Sequence, residues 1–178
     1  MTTPVVSHIW CVRAKLKEGK KRYGSYPAGS LEKFRLLMGV HITDPVLHVC
    51  GGLVRYYPYG RAFGPNDKTL DLDPSTEPDF LRDAREPYPR GFKAIIMDPD
   101  YSEADADHRP MGRSTLPRPR LMLQLALDAL KPGQRVGILH TVTPRPPTGI
   151  GIFVAKINVS TGFDNRERVF SVFEKVLG

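Results

Sequence analysis

The chain has 178 residues, a formal net charge of +7 and a hydrophobic fraction of 40%, a balance that suits one domain with a core of its own. No apolar stretch approaches the roughly 18 residues of a membrane span, and MTTPVVSHIWCVRAK lacks the basic start and apolar core of a secretory signal, so a cytoplasmic protein with no membrane partner is expected. Cys11 and Cys50 are too few for a disulfide framework or a cysteine-rich zinc site, and no histidine pair joins them at ligand spacing; reduced thiols and no metal are expected.

The basic start precedes the first periodic segment, so residues 1–27 read as a partly mobile N-terminal segment and 28–178 as the folded domain. AGSLEKFRLLMG (28–39) puts Leu31, Phe34, Leu37 and Met38 on one helical face, with Ser30 placed to cap the helix and Gly39 to end it. PVLHVCGG (45–52) is a short apolar run ending in two glycines, the form of a buried strand entering a tight turn. LVRYYPYGRAFGPNDK follows, with two prolines and two glycines, and leaves room for only a short helix or none.

KTLDLDP (68–74), DFLRDA (79–84) and FKAIIMD (92–98) read as three further strands, the last the most apolar. PRLMLQLALDAL (119–130) has leucines and a methionine at helical spacing until Lys131-Pro132-Gly133 stops it. QRVGILHTV (134–142) returns as a strand, and GIFVAKINVS (151–160) with RVFSVFEKV (168–176) forms a terminal hairpin. Continuously apolar strands with helices among them predict an α/β fold: a mostly parallel sheet in a single domain, with the hairpin as an antiparallel edge.

Ligands of open α/β sheets gather beyond the carboxyl ends of the strands. Four successive strands end in residues suited to one ligand: Gly51 and Gly52, where backbone can approach closely; Asp71 and Asp73, which can accept from ribose hydroxyls; Asp83, which can accept from an amine; and Asp98. Cys50 either lines that pocket or is a small buried hydrophobe. His48 and His140, both inside apolar runs, read as core histidines.

In order and spacing, HVCGG, LDLDP, Asp83-Ala84 and Asp98-Pro99-Asp100-Tyr101 resemble the Rossmann-like S-adenosylmethionine-dependent methyltransferases that act on exocyclic amines of nucleic-acid bases. The likeness runs from about Pro45 to Val176; Asp100 stands where that family's Asp-Pro-Pro-Tyr motif has a second proline. It implies S-adenosylmethionine as cofactor, bound at Cys50, Gly51 and Gly52, by Asp71 at the ribose, by Asp83 and Ala84 at the adenine, and by Tyr26 at the methionine end. It further implies that Asp98 and the Pro99 carbonyl hold the amine hydrogens while Tyr101 stacks on the base.

The basic groups support a polyanionic partner. Residues 13–35 carry Arg13, Lys15, Lys17, Lys20, Lys21, Arg22, Lys33 and Arg35 against Glu18 and Glu32, and Arg109, Arg113, Arg118 and Arg120 follow the motif. Solvated loops explain them equally well. The resulting expectation is methylation of a DNA base, adenine ahead of cytosine and DNA ahead of RNA, by a homodimer or with a partner subunit. A methyltransferase of RNA or a small molecule, and a non-catalytic binding module on a degenerate methyltransferase fold, stay open.

Overall fold

The computed structural model describes residues 6–11, 26–27, 29–56, 62–99, 116–160 and 167–176. Tyr101, Asp100, Arg109, Arg113 and the basic positions from Arg13 to Arg22 lie outside them. Among the described residues eight strands form one sheet: β1 (Val6–Cys11), β2 (Val46–Val49), β3 (Lys68–Asp71), β4 (Phe80–Leu81), β5 (Ala94–Met97), β6 (Arg135–His140), β7 (Gly151–Ser160) and β8 (Glu167–Lys175). Their spatial order is β1-β7-β8-β6-β5-β2-β3-β4. Only β8 runs against its neighbours, β6 and β7; the other adjacent pairs are parallel. The α/β class, the parallel centre and the terminal hairpin are as the sequence predicts.

Two details differ. The hairpin is not the border of the sheet, because β1 lies alongside β7 from Val6 opposite Ala155 to Cys11 opposite Ser160. VSHIWC is short and mixed in character, so neither alternation nor a continuous apolar run announces it as a strand. The second difference concerns Ser30. Gly29 takes the cap position at φ 71°, and the Ser30 hydroxyl donates back to the Pro27 carbonyl at 2.6 Å, so Ser30 opens helix α1 (Ser30–Met38) without capping it. Gly39 closes it as expected, at φ 65° with its N–H on the Arg35 and Leu36 carbonyls.

The two faces of the sheet are covered separately. On one, Leu31, Phe34 and Met38 of α1 pack with Tyr26 over Val46, Ala94, Ile96, Leu139, Phe170 and Val172, and the Phe34 and Phe170 rings stack at 3.7 Å. On the other, helix α2 (Pro119–Ala129) buries Met122, Leu123, Ala126 and Leu127 against Leu47, Val49, Ile95, Met97, Val136 and Ile138. Strands β2 and β5 are buried throughout, which accounts for their unbroken apolar sequence. In the described part of the β2–β3 connection there is a single 3-10 turn, Val54–Tyr56, so the loop chemistry sits directly on the strand ends.

Candidate functional site

The carboxyl ends of β2, β3, β4 and β5 lie side by side, which brings the expected residues to one border of the sheet. The Asp98 N–H donates to the Val49 carbonyl at 3.1 Å, and the Cys50 N–H to the Leu70 carbonyl at 2.8 Å. Asp98 thus emerges beside the Cys50-Gly51-Gly52 turn, which itself sits beside the end of β3.

The turn is unusual backbone. Cys50 has φ 53° and Gly52 φ 49°; the left-handed region is natural for glycine and uncommon for cysteine. Gly51 has a packing reason to lack a side chain, since a Cβ there would meet the His48 Cβ at 3.0 Å and its carbonyl at 3.2 Å. Asp71 holds the turn from below: one carboxylate oxygen accepts the Gly52 N–H at 2.9 Å and the other the Asp73 N–H at 3.1 Å. Asp73 caps the 3-10 turn Pro74–Thr76 by accepting the Ser75 N–H.

Asp71 is buried, and each of its oxygens keeps one lone pair beyond its backbone partner. Asp83 fits the expected adenine contact less well. Arg85 spans its two oxygens, with Nε at 3.0 Å from both, and this ion-paired hydrogen bonding holds the Asp83 carboxyl below its usual range. Its lone pairs are largely taken, and the expected acceptance from an amine is displaced. Ala84 is buried, and its carbonyl accepts the Tyr88 hydroxyl at 2.9 Å. Pro99 is buried and Asp98 half-buried.

Tyr26, expected at the methionine end of the cofactor, is 2% exposed. Its hydroxyl pairs with His48 Nδ1 at 3.1 Å, and His48 Nε2 pairs with Asp67 Oδ2 at 3.1 Å. Asp67 also accepts from Arg35 at 2.8 Å, from the Val46 N–H at 3.1 Å and from the Gly64 N–H at 2.8 Å. Burial drives the Tyr26 phenol well above its ordinary value, and the charges of Asp98, Cys50 and Asp67 push it further. Burial also lowers His48, against the pull of Asp67, so His48 is neutral near pH 7.

Sequence reasoning missed this network. Asp67 sits in GPNDK, where an acid reads as a turn residue, and Arg35 looks like one more helical cation. The available signal was His48 itself, since a buried imidazole needs partners for both nitrogens. A cavity of about 280 Å³ lies at the opposite border and is lined by Pro45, Phe92, Lys93 and Gln134 among others. That is where β2, β5 and β6 begin, far from the chemistry at their ends.

No family model matches the sequence, and no curated protein does. Solved structures do resemble the fold. TrmN from Thermus thermophilus superimposes with a TM-score of 0.60 at 20% identity, over 86% of this chain and 50% of that one. The chain thus spans half the length of TrmN. A putative RNA methyltransferase, PH1948 from Pyrococcus horikoshii, gives 0.52 at 16% identity over 92% and 94% of the two chains. The N-methyltransferase NodS from Bradyrhizobium japonicum WM9, in complex with S-adenosyl-L-homocysteine, gives 0.51 at 10% over 81% and 84%. The chain has the Rossmann-like methyltransferase fold. What such folds catalyse is decided by the residues at the site.

Proposed function

We propose that this protein transfers a methyl group from S-adenosylmethionine to an exocyclic amine of a nucleic-acid base. The observation that carries the reading is the placement of Asp98 at the end of β5, hydrogen-bonded through its N–H to the last residue of β2 and so adjacent to the turn that Asp71 holds. The cofactor would supply an activated methyl on a sulfonium. The turn at Cys50, Gly51 and Gly52 would lie against it, Asp71 would accept from its ribose, and Ala84, with Asp83 held by Arg85, would border its adenine. Asp98 and the Pro99 carbonyl would accept the two amine hydrogens, aiming the nitrogen lone pair at the methyl, and Tyr101 would stack on the base. As the nitrogen–carbon bond formed, the sulfur–carbon bond would break, S-adenosylhomocysteine would leave and the surplus proton of the methylated nitrogen would pass to solvent. An amine so held needs no strong base, and positioning would supply much of the rate.

RNA is favoured over DNA as the substrate. The net charge of +7 suits either polyanion, and a structure named as a putative RNA methyltransferase shares the fold over 92% of the chain. DNA adenine is the second reading, supported by the likeness of Asp-Pro-Asp-Tyr to the amino-methyltransferase motif. The test is calorimetric titration with S-adenosylmethionine and S-adenosylhomocysteine, followed by methyl incorporation into RNA, duplex DNA and free nucleosides in parallel. Saturable cofactor binding with incorporation into RNA alone supports the first reading, and incorporation into duplex DNA the second. Absence of cofactor binding would instead indicate a non-catalytic module.

A further inference from the structure

The turn that follows β4 is held by backbone bonds of its own. The Arg82 N–H donates to the Asp71 carbonyl at 3.0 Å, so Asp83 emerges beside the last residue of β3, whose carboxylate holds the Gly52 turn. Beyond it the chain folds back on itself. The Glu86 N–H donates to the Asp83 carbonyl at 3.0 Å, the Arg82 guanidinium to the Pro87 carbonyl at 3.0 Å, and the buried Tyr88 hydroxyl to the Ala84 carbonyl at 2.9 Å. The Arg85 N–H donates to Asp83 Oδ1 at 2.8 Å, which orients the carboxylate through backbone alone.

The ion pair of Asp83 with the Arg85 guanidinium therefore lies inside a turn that is already closed. It is also accessible to solvent, with the Asp83 side chain 18% and the Arg85 side chain 44% exposed, and pairs of that kind contribute little to stability. What the pair changes is acceptor capacity. A carboxylate has about four lone-pair sites, and those of Asp83 are filled: Oδ1 by the Arg85 N–H and Nε, Oδ2 by Nε and Nη2. An amine hydrogen finds no acceptor there while the guanidinium stays in place.

We propose that Arg85 is a competitor built into the cofactor site: its guanidinium occupies the Asp83 carboxylate that the adenine amine of S-adenosylmethionine needs, and the cofactor binds by displacing it. This rests on the functional reading above and adds to it a residue that sets how tightly the cofactor is held. A weak pair suits that part, because the amine replaces it with a hydrogen bond to the same charged acceptor. S-Adenosylhomocysteine carries the same adenine, so the competition lowers product affinity as well and relieves product inhibition.

The test separates this role from a structural one by direction. In calorimetry Arg85→Ala should bind S-adenosylhomocysteine about two- to fivefold more tightly than wild type, the range an exposed pair spans, and Asp83→Ala should bind it more weakly. In the double variant the gain should vanish, leaving the affinity of Asp83→Ala alone. The 6-oxo analogue, S-inosylhomocysteine, has no amine to donate, so Arg85→Ala should bind it no more tightly than wild type does. A folded Arg85→Ala protein with no gain, an equal gain for the 6-oxo analogue, or unchanged affinity in Asp83→Ala overturns the proposal.

A readout independent of affinity is the Arg85 Nε–H resonance, assigned by its loss from Arg85→Ala and followed in the wild-type protein by 1H–15N correlation. It should shift on saturation with S-adenosylhomocysteine as the pair opens. Wild-type protein that binds no S-adenosylhomocysteine overturns the functional reading and the competitor role with it, whereas binding that leaves the Arg85 resonance in place overturns the competitor role alone.

Discussion

The Gly52 N–H donates to Asp71 Oδ2 at 2.9 Å, so the last residue of β3 holds the turn that follows β2. One carboxylate therefore both shapes the turn and offers lone pairs at the border where a ribose would lie. Asp71→Ala should weaken S-adenosylhomocysteine binding by at least about tenfold in calorimetry. It should also cost about 1–3 kcal/mol of stability, because two backbone N–H groups lose their acceptor. Unchanged affinity in a folded variant would remove Asp71 from the cofactor site.

Asp98 has the complementary signature. Asp98→Ala should reduce methyl incorporation to background while leaving cofactor affinity within about threefold, since the interaction it supplies is made with the acceptor amine and not with the cofactor. A variant that retains full turnover would sink the assignment of Asp98 as the amine's acceptor.

Gly64 tests the scaffold. A Cβ there would lie 2.0 Å from the Ile42 backbone carbonyl oxygen and 3.3 Å from Asp67 Oδ1, and backbone cannot step aside as a side-chain tip can. Gly64→Ala should destabilise the protein by about 1–3 kcal/mol or more and disturb the Gly64 N–H bond to Asp67. Denaturant unfolding reads the first effect. An alanine variant as stable as wild type would mean that this loop is not held against Ile42.

The pH dependence follows from two histidines whose burial lowers their folded-state values below 6.5, His48 and His140. Between those values and 6.5 the unfolded chain binds protons that the folded protein does not, so stability rises with pH through that window. Tm should therefore fall as pH drops below about 6.5 and level off once both rings are charged in the folded state. His140→Gln should flatten part of that slope. Tm rising on acidification from 7.5 to 5.5 would contradict the neutral assignment of both rings.

Much of the sheet was legible because buried parallel strands carry their own signal: VLHV and AIIM are apolar without interruption, and both are buried from end to end. Helix α2 was legible for a related reason, its apolar spacing being stopped by Pro132 and Gly133. The acids were legible as strand-end residues but not in their partners. Nothing in RDAREP says that Arg85 will close on Asp83, and a turn-like Asp67 gives no hint that it anchors Arg35 and His48. Tyr26 reads as a cofactor contact in the sequence, and its burial depends on α1 packing across β6 and β8, which local sequence does not encode. Strand β1 was missed because its place is fixed by a partner far along the chain.

That partner has a consequence for how the protein is made. Val6 pairs with Ala155, so β1 leaves the ribosome long before its neighbour exists. At about 5–20 residues per second, it waits on the order of ten seconds while the parallel centre from β2 to β6 emerges. β1, ahead of the other strands of this sheet in chain order, is thus among the last that can dock, and until β7 and β8 arrive the flank of β6 is an open template. Slowing synthesis between β6 and β8 should lengthen that exposure and lower the soluble yield, whereas slowing it before β6 should not.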